Sequence, residues 1–157
     1  MFYKEGAISF TKEPDNPSYI RKGDNATLVW DYSVTDKQAE LKAIQWDVYN
    51  SNQYKTLIIE TKNGDRVLKS DMPLAYKERI GIEGRASLVI ENITFQDNTF
   101  FRCTLRAEPA SGLQSRVSSV KLIVTGMTVW NCYFLIPFGI VVVMAQRWAS
   151  GDGLCGE

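Results

Sequence analysis

LVIENITFQDNTFFRC, residues 88–103, opens on alternating apolar residues, passes through a polar turn and closes on a second short run that ends in a cysteine. Successive side chains of a strand point to opposite faces. Leu88 and Ile90 therefore share one face, and Phe101 and Cys103 share another. The cysteine is aimed at an apolar interior, yet nothing upstream can pair with it. The other two cysteines, Cys132 and Cys155, lie beyond the last strand-like segment of the surrounding pattern.

Working outward, the same grammar repeats. Short runs rich in Val, Ile, Leu, Thr and aromatics alternate with turn-formers, and no window sustains the 3.6-residue apolar repeat of a helix. AISFTK and SYIRK read as a first strand split around EPDNP. ATLVWDYSV sends Ala26, Leu28, Trp30 and Tyr32 to one side, and KAIQWDVYN does so with Ile44, Trp46 and Val48. YKTLIIETK and DRVLK flank Asn63-Gly64, a dipeptide suited to the positive φ angles of a tight hairpin. ASLVIENI contributes Ala86, Leu88 and Ile90, TFFRCTLRAE contributes Phe101, Cys103 and Leu105, and SRVSSVKLIV contributes Val120, Leu122 and Val124. Strands with one apolar face each need a second sheet to cover them. The expectation is an all-β, two-sheet antiparallel sandwich of about nine strands.

Composition narrows the function. Lys plus Arg and Asp plus Glu number 18 each, so the net charge is zero and no basic field exists to draw nucleic acid. Histidine is absent, which removes the commonest general base and most catalytic zinc sites. An enzyme would have to rely on carboxylates such as Asp65 with Asp71 or Glu78 with Glu83, which read as turn and strand-edge solubilisers. The expectation is a non-enzyme with no cofactor, no metal and no small-molecule substrate. Asn25-Ala-Thr27 and Asn92-Ile-Thr94 are glycosylation acceptors, which lean toward the secretory route.

The order GDNATLVW, then Trp46, then Arg79, then LVIENITFQDNTFFRC resembles an immunoglobulin domain of the variable type, over roughly Ile8 to Val124. In that family a disulfide joins the two sheets. The resemblance places its second cysteine at Cys103 and its first at Trp30, so an indole stands where the partner thiol belongs. It also implies a salt bridge between Arg79 and Asp97, and it puts Phe101 where the family has a hydroxyl-bearing corner tyrosine. A bridge over so long a loop contributes about 2–5 kcal/mol. Burying one Trp removes on the order of 200 Å² from water, worth up to about 5 kcal/mol. The two are comparable, and the expected core therefore has Trp30 packed with Trp46, Leu88, Phe101 and Cys103.

The resemblance implies recognition of a protein partner, with a second copy of the chain as one form of it. In such domains the sheet holding the central and C-terminal strands commonly meets partners. Strand parity puts Gln45, Asp47, Tyr49, Tyr54, Arg102, Thr104 and Arg106 on its outer side. The last strand lacks the Gly-x-Gly bulge of antigen receptors, and the single bridge-less domain is more similar to an invertebrate cell-surface adhesion protein.

The chain divides in this reading into an immunoglobulin-like domain (1–125), a transmembrane helix (126–146) and a short tail (147–157). GMTVWNCYFLIPFGIVVVMA, residues 126–145, carries no charge over twenty residues, long enough to cross a hydrocarbon layer of about 30 Å. Trp130, Tyr133 and Trp148 beside Arg147 sit near its ends, as interfacial residues do. Asn131 and Pro137 count against it. No leader is visible in MFYKEGAISF, so an incomplete N-terminus is expected, with the domain outside the cell at the plasma membrane. The competing expectation is a secreted binding module with an artefactual tail.

Overall fold

The computed structural model describes residues 8–35, 41–108, 114–126, 133–136 and 139–142, the last two stretches as backbone only. The strands of residues 8–125 are β1 (Ile8–Lys12), β2 (Ser18–Arg21), β3 (Ala26–Leu28), β4 (Asp31–Val34), β5 (Leu41–Asn50), β6 (Gln53–Thr61), β7 (Arg66–Leu68), β8 (Ile80–Glu83), β9 (Ser87–Ile90), β10 (Phe100–Ala107) and β11 (Arg116–Thr125). The expected count is recovered when β1 with β2, and β3 with β4, are taken as interrupted single strands. Two 3-10 turns, Leu74–Tyr76 and Phe95–Asp97, complete the described elements of residues 8–125.

One layer is a six-stranded sheet in the order β2-β11-β10-β5-β6-β7. The other comprises β3-β9-β8 and the β1-β4 pair. Between them lies one core, to which Leu28, Trp30, Trp46, Val48, Leu57, Leu88, Phe101, Cys103 and Leu122 contribute side chains almost wholly withdrawn from water. Alternation produces this directly in β10, where Phe101, Cys103, Leu105 and Ala107 are buried.

Two turns fix the register of the sheet. β5 and β6 are joined through Ser51 and Asn52, both at positive φ (51° and 63°), with Asn50 paired to Gln53. That is the primed two-residue hairpin geometry, which usually selects Gly or Asn, built here with a serine in the first position. At Asn63-Gly64 the expected hairpin joins β6 to β7, with one positive φ in place of two. Only Gly64 adopts a positive φ (84°), with its N–H donating to the Thr61 carbonyl and the Thr61 N–H donating to Asp65. β6 also carries a bulge: Trp46 pairs with Ile58 and Asp47 with Thr56, so Leu57 is the extra residue. Leu57 and Ile58 consequently both face inward and are both buried, and the run LII breaks strict alternation for that reason.

Residues 125–157 form a separate compact unit. Its described strands, β12 (Tyr133–Ile136) and β13 (Gly139–Val142), pair antiparallel with Ile136 opposite Gly139. This stretch was expected to be helical, but its described part is a hairpin. Tyr133, Phe134, Ile140, Val141 and Val142 favour a pleated backbone, and Pro137 would remove a hydrogen bond from a continuous helix. Among the described residues no helix is long and apolar enough to cross a membrane. The rest of 127–146, and the 147–157 tail with Cys155, lie outside the described residues, as does Cys132.

Candidate functional site

The outer side of the six-stranded sheet is organised in rows by its register. Thr104 pairs with Val117 on one side and Gln45 on the other, and Gln45 continues through Ile59 to Val67. The next row runs Ser119, Arg102, Asp47, Thr56. The third holds Lys121 opposite Phe100, and Tyr49 opposite Tyr54. Tyr49 joins the halves of that third row: its ring stands edge-on to Tyr54 at 5.2 Å and to Phe100 at 6.5 Å, and Lys121 Nζ lies 5.8 Å from the Phe100 centroid.

The middle row is ionic. Arg102 Nη2 is 2.8 Å from Asp47 Oδ2, and its Nε donates to the same oxygen at 2.9 Å. The other carboxylate oxygen accepts from Gln45 Nε2 (2.6 Å) and Thr56 Oγ1 (2.8 Å). Gln45 Nε2 also donates to Thr56 Oγ1 at 3.0 Å, and Gln45 Oε1 accepts from Arg106 Nη2. Arg102 stacks on Tyr54, 3.8 Å from the ring centroid. The expectation that Gln45 and Asp47 lie open to a partner is corrected by this geometry. Both point to the outer side, but they are 6 % and 1 % exposed, because β5 is central and the arginines of β10 fold over it. Tyr49 and Arg106 remain exposed, and Tyr54, Arg102 and Thr104 are half-buried. Among the described residues no cluster of His, Cys, Asp and Glu is able to hold a metal ion.

Arg79 and Asp97 meet at one end of the sandwich. Two bonds, Nη1 to Oδ2 at 3.1 Å and Nη2 to Oδ1 at 3.0 Å, make the pair bidentate. Arg79 also donates to the carbonyls of Ala75, Glu91 and Asn92. Burial by itself would raise the Asp97 pKa, but hydrogen bonds from Arg79 and from the Thr94 backbone and hydroxyl hold it below the ordinary carboxylate range.

No protein-family model matches the sequence, and no curated protein matches it either. Solved structures do. Murine CRIg superposes with a TM-score of 0.63 at 15% identity, over 76% of this chain and 98% of that one. Domain 1 of VCBP3, a v-region-containing chitin binding protein, from Branchiostoma floridae gives 0.56 at 14%, over 76% and 96%. The extracellular domain of the voltage-gated sodium channel beta4 subunit gives 0.53 at 18%, over 75% and 90%. With β6 and β7 extending the six-stranded sheet, one detail decides the type. The domain has the variable-type immunoglobulin fold.

Within that fold Trp30, expected at the position of the family's first cysteine, is a buried indole with a polar anchor. Trp30 is 1 % exposed, and its Nε1 donates across the sandwich to Ser118 Oγ at 2.9 Å. Ser118 pairs directly with Cys103 and donates in turn to Glu13 Oε2. Trp46 donates from Nε1 to the Ala86 carbonyl at 3.0 Å. Cys103 is free, and burial, followed by the Asp47 charge, pushes its thiol pKa up, which suppresses the reactive thiolate. At the corner, Phe101 meets Tyr76 edge-on at 6.0 Å. The Tyr76 pKa is pushed far up, by burial first and then by the adjacent Asp97 carboxylate. A neighbouring turn thereby brings a phenol to the corner whose own aromatic lacks one.

Asn25 and Asn92 are both exposed, and the Asn92 N–H donates to Asn25 Oδ1 at 2.9 Å. Strand parity missed Thr56, Phe100, Lys121 and Val117 on the outer face. The signal for the last three was present, since Phe100 precedes an inward residue and Val117 and Lys121 alternate with Ser118, Val120 and Leu122.

Proposed function

We propose that the chain is a recognition module that binds a protein partner through the outer face of β11, β10, β5 and β6, with the domain displayed outside the cell. The observation that carries this reading is the row of exposed Tyr49 and Phe100 with half-buried Tyr54, set beside a pre-formed Arg102–Asp47 network. Tyrosine and arginine are residues that interfaces use as anchors, and Phe100 and Tyr49 keep 41% and 38% of their surface in water. The sodium channel beta4 domains, which share the fold, form parallel homodimers that explain a role in cell-cell adhesion. A second copy of this chain is accordingly the first partner to test.

The reading includes glycosylation at Asn25 and Asn92. Both belong to the β3-β9 region of the opposite layer, so sugars there leave the proposed face open. It also takes the apolar stretch 126–146 as the attachment to the plasma membrane. A secreted module with the same face is the alternative, and carbonate extraction of expressing cells separates the two.

The binding claim is tested with beads carrying the full chain, scored for mutual clustering and for attachment to a panel of cells. Tyr54→Asp places a charge in the aromatic row and is expected to abolish attachment, while Glu83→Lys on the exposed end of β8 leaves it intact. Loss with the β8 variant and not with Tyr54→Asp would move the interface to the other layer.

A further inference from the structure

Beside the ionic row the sheet opens into a groove of about 400 Å³, lined among others by Lys42, Arg102, Thr104, Arg106, Ser115 and Val117. Three cations border it, and none of its described lining residues is acidic. Their charges are not equivalent. Arg102 is committed to Asp47 by two contacts under 3 Å and is stacked on Tyr54. Arg106 instead donates to Gln45 Oε1, a neutral amide that brings no negative charge of its own. That amide is fixed in turn, because both hydrogens of Gln45 Nε2 are taken by Asp47 and Thr56, which turns Oε1 toward Arg106. A guanidinium has five N–H donors, so one held at Nη2 still presents a fork for a carboxylate. Val117, 58% exposed, offers an apolar wall beside Thr104, its partner in the sheet.

We infer that this groove takes an acidic peptide segment of the protein partner, with a carboxylate side chain seated on Arg106, Lys42 adding charge and a neighbouring apolar residue resting on Val117. Charge complementarity selects the occupant: with Lys42 and Arg106 on its rim and no acid among its described lining residues, the groove favours an acidic segment over a neutral one and disfavours a basic one. The pre-organisation of Arg106 through Thr56, Asp47 and Gln45 lowers the ordering cost of that contact. The inference rests on the outer face being the partner-binding surface.

The test uses the full chain and a fluorescein-labelled Gly-Glu-Val-Glu-Gly amide, with the Gly-Gln-Val-Gln-Gly amide as the uncharged counterpart, followed by fluorescence anisotropy. The acidic peptide is expected to bind at least tenfold more tightly than its counterpart. Arg106→Gln should remove at least tenfold of that affinity and Lys42→Gln a smaller part, whereas Lys77→Gln, the same charge change on an exposed turn elsewhere, leaves it unchanged. Thermal melts of the variants confirm that the exposed substitutions leave the fold in place. Equal binding of the two peptides, no binding of either, or an equal loss with Lys77→Gln overturns the proposal. So does tighter binding of a sialylated oligosaccharide, which would assign the groove to a glycan. If bead attachment is lost with Tyr54→Asp yet unaffected by Arg106→Gln, the face stands and the acidic-segment site falls. If neither changes attachment, the face itself falls.

Discussion

Two of the arginine–aspartate pairs among the described residues, Arg79–Asp97 and Arg102–Asp47, look alike by distance and differ in what they hold. In each the carboxylate is 1% exposed and the guanidinium is partly open, 20% for Arg79 and 28% for Arg102. Arg79 spends its remaining donors on the main chain, at Ala75, Glu91 and Asn92. It ties the loop before β8 and the end of β9 to the turn that carries Asp97. Arg102 instead meets side chains, Asp47 and the Tyr54 ring, with Gln45 and Thr56 completing the acid's partners. A pair anchored to backbone carbonyls fixes the path of the chain. A pair anchored to side chains on an open sheet shapes a surface, and that surface is able to rearrange when something docks.

The contrast is tested most severely by Arg79→Leu. Removing the partner of a buried acid costs 3–5 kcal/mol in general. With a fifth of the guanidinium in water, about 3 kcal/mol is expected here from urea unfolding, and a loss below about 1 kcal/mol would remove the distinction. Arg102→Leu should cost only about 1–2 kcal/mol, because Asp47 keeps its two neutral donors, while bead attachment disappears. Equal destabilisation by the two variants would mean that both pairs are structural.

A pH series sharpens the same comparison with a smaller effect. Asp97 is held below its unfolded value of about 3.9, so its contribution is present above that value and is lost as pH falls through it toward the folded pKa. Asp97→Asn should flatten the acid limb of the stability curve. Tyr76 is shifted upward, so its contribution is complete below its unfolded value of about 10 and drains away as pH rises beyond it. Tyr76→Phe should flatten the alkaline limb. Thr56→Val, which takes one donor from Asp47 and one acceptor from Gln45, is expected to have the smallest effect, about 0.5–1.5 kcal/mol, with a loosened Arg106 detectable as weaker attachment of the acidic peptide.

Period-2 alternation was enough to read the sandwich. It placed Leu88, Phe101, Cys103 and Trp46 inward, where they are buried. It could not supply cross-strand neighbours, because those depend on register, and here register is set by a Ser51-Asn52 turn and a bulge at Leu57 that carry no glycine to announce them. Parity alone therefore sent Gln45 and Asp47 outward without showing that Arg102 and Arg106 cover them. Ser118 was invisible for a related reason. A serine among alternating apolar residues looks like a weak core position until the indole that needs its hydroxyl is brought opposite. Tyr76 lies in a loop with no periodic pattern, so nothing local linked it to Phe101, 25 residues on. In the C-terminal unit the apolar run satisfied a length rule for helices, while the β-branched residues at 140–142 suit the pleated backbone of the described Gly139–Val142.

Because the Trp30–Ser118 contact joins the layers without a covalent bond, the domain's cohesion is chemically blind to reductants. Dithiothreitol should leave its melting temperature where it was, and mild oxidants should find Cys103 too deeply seated to modify. Evolution is left free to move such a module between reducing and oxidising surroundings without redesigning its interior.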